Sequence, residues 1–162
     1  MLVESIDDHL GSSVIDFVVS DDAIYLVENG SDNTRTIKMH SSNGNSLDYV
    51  WNVYKYKNIE GEAHDIAVSR HNIFITLYSN REINVYKYNK DDGVKVGEWT
   101  AVTREEYGLG LETKSGIAYG DDKVAIFLKE KVKVYDENGH ILEGYFLGST
   151  LGSHMIDVEI DD

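Results

Sequence analysis

Apolar residues in this chain fall in short runs, each broken after a few positions by Gly, Asn or Asp. The stretch from Ser115 to Phe146 is the clearest case. It holds the runs Ile117 to Tyr119, Val124 to Leu128, Val132 to Tyr135 and Ile141 to Phe146, parted by Asp121-Asp122, Lys129-Glu130-Lys131 and Asn138-Gly139. Runs this short with turn residues between them predict antiparallel strands joined as a meander. At Asn138-Gly139 both residues are suited to the positive φ of a tight hairpin. Such a sheet is apolar on both faces in places, so it needs other sheets beside it.

The chain supplies them. Ile15 to Leu26, Asp65 to Ile75 and Gly116 to Ile126 each read as a short apolar strand, a polar turn and a longer apolar strand. A third strand of alternating character follows in each case: Thr34 to His40, Glu82 to Tyr88 and Lys131 to Tyr135. Turns at Asn43-Gly44, Asp92-Gly93 and Asn138-Gly139 lead to fourth strands at Leu47 to Tyr56, Val94 to Val102 and Ile141 to Leu147. Three units result, covering residues 14–56, 64–102 and 115–147. Leu151 to Asp157 repeats Leu10 to Asp16 at five of seven positions, so residues 156–160 read as the first strand of a further unit. Residues 2–6 read as the last strand of a preceding one. Arg104 to Leu111 has helix-forming residues, but Gly108 and Gly110 favour an irregular loop. The segments 57–63 and 103–114 are the long connections.

The third unit, GIAYGDDKVAIFL followed by VKVYDENGHIL, resembles an NHL-type blade of a β-propeller, as do DIAVSRHNIFIT and INVY in the second. A four-stranded meander repeating every 40 to 50 residues is the signature of that fold. Two features of the type are weak here. No Pro precedes the first strands, and the Asn-x-Arg element survives only as Asn33-Thr34-Arg35 and Asn80-Arg81. WD-type blades fit less well, because Trp51 and Trp99 fall on fourth strands. The resemblance implies an all-β fold: a partial β-propeller of about three four-stranded antiparallel blades, with partial blades at both ends, as a single segment over 1–162. Closed propellers need four to eight blades. The expectation is therefore a homo-oligomer that completes the ring, or part of a longer propeller.

Composition narrows the partners. The net charge of −14 repels phosphate backbones and anionic lipid, so neither nucleic acid nor membrane is expected. With no cysteine there are no disulfides or thiolate sites. Neither a leader-like stretch nor a run long enough to span a bilayer is seen, which gives a soluble, intracellular expectation. The sequence holds no H-E-x-x-H pair, no Gly-x-Ser-x-Gly elbow and no phosphate loop. On that ground the chain is read as a non-enzymatic interaction scaffold for a protein partner, with no cofactor.

Several residues carry the candidate chemistry. Asp16, Asp65 and Asp157 share one column at the start of first strands, with Gly116 in the remaining place. In a propeller these strands are innermost, so the carboxylates would either brace blade junctions through backbone N–H groups or hold Ca²⁺ or another divalent cation. The second use would make a lactonase- or hydrolase-like propeller. Asp21, Asp22, Asp121 and Asp122, with Arg70 and His71 in the second unit, share the turn after the first strand and form a candidate partner-binding rim. Asp is also simply a good turn residue. His64, just before a first strand, reads as a hydrogen-bonding link between blades. Lys129, Lys131 and Lys133 read as a solvated strand and turn. Tyr54, Tyr56, Tyr86 and Tyr88 alternate, which suits blade packing or, alternatively, a carbohydrate-binding or viral surface module.

Overall fold

Among the described residues twelve strands form, and each group of four builds its own sheet in chain order. The computed structural model describes residues 13–20, 23–29, 35–43, 46–52, 62–107, 115–128 and 131–146. The first sheet pairs β1 (Ser13–Ser20), β2 (Ala23–Asn29), β3 (Arg35–Asn43) and β4 (Ser46–Asn52). The second pairs β5 (Glu62–Val68), β6 (Asn72–Ser79), β7 (Glu82–Asn89) and β8 (Lys95–Val102). After the short helix α1 (Arg104–Tyr107), the third pairs β9 (Gly116–Gly120), β10 (Lys123–Leu128), β11 (Lys131–Asp136) and β12 (Ile141–Phe146). All pairings are antiparallel. The three sheets are the blades foreseen from the repeats. The expected partial strands at 2–6 and 156–160 lie outside the described residues.

The chain divides into two units, 1–59 with the first blade and 60–162 with the second and third. In the first unit, Tyr25, Leu26 and Val27 are fully buried. Phe17 and Val19, on the inner strand of the same blade, stand 60% and 63% exposed. In the second unit the core is a joint between blades. Ala67, Phe74, Ile83, Val85, Ala101 and Val102 from one sheet pack on Ile117, Val124, Ile126, Leu128 and Tyr135 from the other. Period-two alternation explains the choice of residues, since Ala67 is opposite Phe74 and Ile117 is opposite Ile126, each pair facing the partner sheet. The far face of the third blade buries a second cluster of Ala118, Ala125, Phe127 and Val132, with Val134 against it.

Two local features differ from the sequence expectation. The segment after Thr103 makes a turn of helix rather than an irregular loop. Thr103 and Glu106 form a reciprocal cap, with Thr103 N–H donating to Glu106 Oε2 and Glu106 N–H to Thr103 Oγ1. At Asn138-Gly139 only Gly139 has positive φ, at 83°. Among the described residues, the two-residue turns with both residues positive are Asn80-Arg81 and Asp121-Asp122. Among the described residues no helix is long and apolar enough to cross a membrane.

Candidate functional site

The antiparallel order brings the turns after first and third strands to the same end of each blade. In the second unit four such turns meet there, and side-chain hydrogen bonds fix each of them. Ser69 Oγ accepts from His71 N–H and Asn72 N–H, closing the β5–β6 turn and leaving Arg70 and His71 exposed. Lys90 N–H donates to the His71 carbonyl at 2.9 Å, tying that turn to the next, where Asn89 and Asp92 accept backbone N–H groups. In the third blade Asp121 and Asp122 are both exposed. Asp121 pairs with Lys123, whose ammonium holds its carboxyl below the usual range. Asp122 Oδ1 accepts from Tyr119 Oη at 3.1 Å.

A polar bridge crosses the groove between the two blades at this end. Glu137 receives Asn72 Nδ2 on its carboxylate at 2.9 Å, and Lys87 Nζ on its main-chain carbonyl at 2.9 Å. Lys87 also lies over the Phe74 ring at 5.9 Å, and Phe74 stacks on Tyr119 with centroids 5.8 Å apart. Burial raises the Tyr119 phenol well above its ordinary value, and the acidic groups Glu137 and Asp122 add to this. The hydroxyl is therefore a fixed donor at any physiological pH. In the fourth turn Asp136 accepts from Asn138 N–H and His140 N–H and pairs with the His140 ring, contacts that lower its pKa. The rim residues Arg70, His71, Asp121 and Asp122 thus stand on a braced frame, while Asp21 and Asp22 lie outside the described residues.

Midway along β5 the joint is made by Asp65. Its Oδ1 accepts from Ile66 N–H at 2.8 Å and its Oδ2 from Ile117 N–H at 2.7 Å, in the first strand of the next blade. A Cβ on Gly116 would stand 3.4 Å from that Oδ2 and 3.6 Å from Phe127 Cβ. Asp16 is partly buried and sits at the same strand irregularity as Asp65, directly after a register shift. Asp157 lies outside the described residues. Among the described residues no group of three or more His, Asp or Glu side chains is placed to hold a metal ion. Close by, Ser115 N–H donates to His64 Nδ1 at 3.2 Å and Ser115 Oγ lies 3.1 Å from the same atom, so His64 does link two blades.

Sequence reasoning missed the Asn72–Lys87–Glu137 bridge. The available signal was positional: Lys87 is opposite Phe74, on the face turned towards the next blade. It also misread Lys133, which is not a solvated cation. Its Nζ donates to both Glu106 carboxylate oxygens, at 2.7 and 2.9 Å, and to the Ala101 carbonyl. Of the paired tyrosines, Tyr88 is buried and Tyr86 partly buried, with Lys95 over its ring, while Tyr54 and Tyr56 lie outside the described residues.

No protein-family model and no curated protein matches this chain. Solved structures do. A europium-containing methanol dehydrogenase aligns with a TM-score of 0.55 at 12% identity, over 80% of this chain and 24% of its own. A protein of unknown function from Bacteroides caccae aligns with a TM-score of 0.55 at 14% identity, over 85% of this chain and 47% of its own. A putative hydrolase from Bacteroides ovatus ATCC 8483 gives a TM-score of 0.46 at 9% identity, over 85% of this chain and 45% of its own. The chain spans less than half the length of each. At these identities the likeness speaks for the fold, and it agrees with β-propeller blades in an open, partial set. It also corrects one expectation. The chain was read as non-enzymatic because catalytic motifs are missing, yet a fold shared with a dehydrogenase is one that carries catalysis. Missing local motifs exclude nothing on such a fold, whose sites are assembled from distant loops.

Proposed function

We propose that this chain is a propeller segment of NHL-type blades that works as an interaction and assembly scaffold. It presents the turns at one end of its blades to a protein partner and associates with further copies of itself. The observation that carries this is the braced rim, where Arg70 and His71 project from a turn closed by Ser69 Oγ, and Asp121 and Asp122 from one tied by the Tyr119–Asp122 hydrogen bond. Rigid turns lose little conformational freedom on binding, so their contacts are not offset by ordering costs. The NHL assignment has physical support in the Asp-x-x-Gly element. Asp136 there accepts two backbone N–H groups and Gly139 supplies the positive φ.

An acidic rim on a chain of charge −14 suits a basic partner segment. Calorimetric titration with a Lys/Arg-rich peptide tests this. Asp121→Asn with Asp122→Asn keeps residues that tolerate positive φ while removing both charges, and is expected to weaken binding about tenfold. Equal affinity for the parent and the double variant would reject the rim as the docking surface.

A further inference from the structure

The turn between β11 and β12 holds a reactive pair that the rim does not use. In an Asn-Gly sequence the glycine nitrogen attacks the side-chain carbonyl of the asparagine, because glycine has no Cβ to shield that nitrogen. The new bond joins Gly139 N to Asn138 Cγ. The side-chain nitrogen leaves as ammonia, carrying the amide proton, and water then opens the cyclic imide to an aspartyl or an isoaspartyl linkage. No step needs a group that the chain and water do not supply. Asn138 is exposed, so water reaches the reacting carbonyl. The attacking nitrogen, however, is held. Gly139 N–H donates to the Asp136 carbonyl at 3.0 Å, and the N–H groups on either side, of Asn138 and His140, donate to Asp136 Oδ1 at 2.8 and 2.9 Å. Asp136 N–H closes the turn by donating to the His140 carbonyl at 3.0 Å, and the His140 ring lies 2.9 Å from Oδ2.

We infer that Asn138 is a site of self-modification, deamidation through a cyclic imide, and that Asp136 is the lock that sets its rate. Swinging Gly139 N towards Asn138 Cγ breaks its bond to the Asp136 carbonyl and pulls against the two N–H groups held by the same residue's carboxylate. Cyclisation therefore waits for the turn to open locally. The two products fit the turn differently. In the second blade the equivalent pair is Asp92-Gly93, with Gly93 N–H on the Asn89 carbonyl at 2.9 Å and φ of 70°, so an aspartyl residue at 138 recreates a turn the chain already makes. An isoaspartyl linkage runs the backbone through the side-chain carbonyl and lengthens it by one carbon. That displaces Gly139, which packs so closely on the Trp99 ring that even a Cβ would stand 2.7 Å from it. Trp99 in turn packs on Phe74 and Tyr135, so the isoaspartyl product loosens the joint between the second and third blades. None of this depends on the rim having a partner.

The test is incubation of the full chain in mildly alkaline buffer, folded and in urea, followed by tryptic mapping. Cleavage after Lys133 gives a peptide over 134–162 in which Asn138 is the single asparagine, so its conversion is read by mass without interference from Asn29-Gly30 or Asn43-Gly44. Conversion in the folded chain is expected to be at least about tenfold slower than in urea. Asp136→Ala should speed the folded chain about tenfold. If that variant does not fold, Asp136→Asn takes its place. It keeps an uncharged acceptor oxygen, and about threefold is expected. Glu106→Gln, which destabilises the chain away from this turn, should leave the rate at Asn138 unchanged. Isoaspartyl-bearing chains, separated from the parent by ion exchange, should unfold at lower urea than aspartyl-bearing ones. No conversion in urea overturns the site. A folded chain that converts as fast as the unfolded one, Asp136 variants that keep the parent rate, or Glu106→Gln accelerating as much as they do, overturns the lock.

Discussion

Gly139 has both its backbone and its space dictated by other residues. Its φ is +83°, and a Cβ there would stand 2.7 Å from the Trp99 ring on the outer strand of the preceding blade. Gly139→Ala therefore combines a backbone penalty with a steric one against a large side chain packed on Phe74 and Tyr135. The expected cost is about 2–4 kcal/mol, read as a lower midpoint in urea. Gly144→Ala is the control. Nothing lies within 4 Å of its Cβ, so it should change stability by about 0.5 kcal/mol or less. The sequence marked this turn but assigned positive φ to Asn138 as well. What it could not show is that Asp136 would take the turn's N–H groups on its own carboxylate, leaving one residue to absorb the left-handed step.

Between elements, the connection from the second blade to the third is fastened by α1. Burial of the Glu106 carboxyl acts to raise its pKa. The hydrogen bond from Lys133, the Thr103 N–H and the charges of Lys133 and Lys131 outweigh that and hold it below the ordinary 4.5. A carboxyl lowered in the folded state adds stability above its unfolded pKa and loses it as pH falls through the folded value. Glu106→Gln should therefore lower the melting temperature at pH 7, and the gap from the parent should close as pH drops below 4.5. Because 32% of the Glu106 side chain is open to water, about 0.5–1 kcal/mol is expected, or a few degrees. A gap independent of pH would mean that the cap geometry matters and the charge does not. The twelve strands were legible because period-two patterns and Gly, Asn and Asp turns are local signals. The Glu106–Lys133 pair was not, since it joins residues 27 positions apart across a sheet boundary. The Asp65 column was readable as a column, and the brace to Ile117 was one of two uses left open for it. Only coordinates place both carboxylate oxygens on backbone donors.

For the whole molecule, the two proposed associations respond to salt with opposite sign. Each chain carries −14, so bringing copies together works against long-range repulsion, while apolar attraction between them is unscreened. Raising ionic strength shortens the Debye length, from about 30 Å at 0.01 M to about 8 Å at 0.15 M, and so removes the repulsion and leaves the attraction. Dimerisation should tighten over that range. Binding of a basic peptide at Arg70, His71, Asp121 and Asp122 draws on the same charge with the other sign and should weaken. Measuring both constants on one sample at each salt concentration separates the two without any substitution. If both weakened together, the copies would be meeting through charged groups.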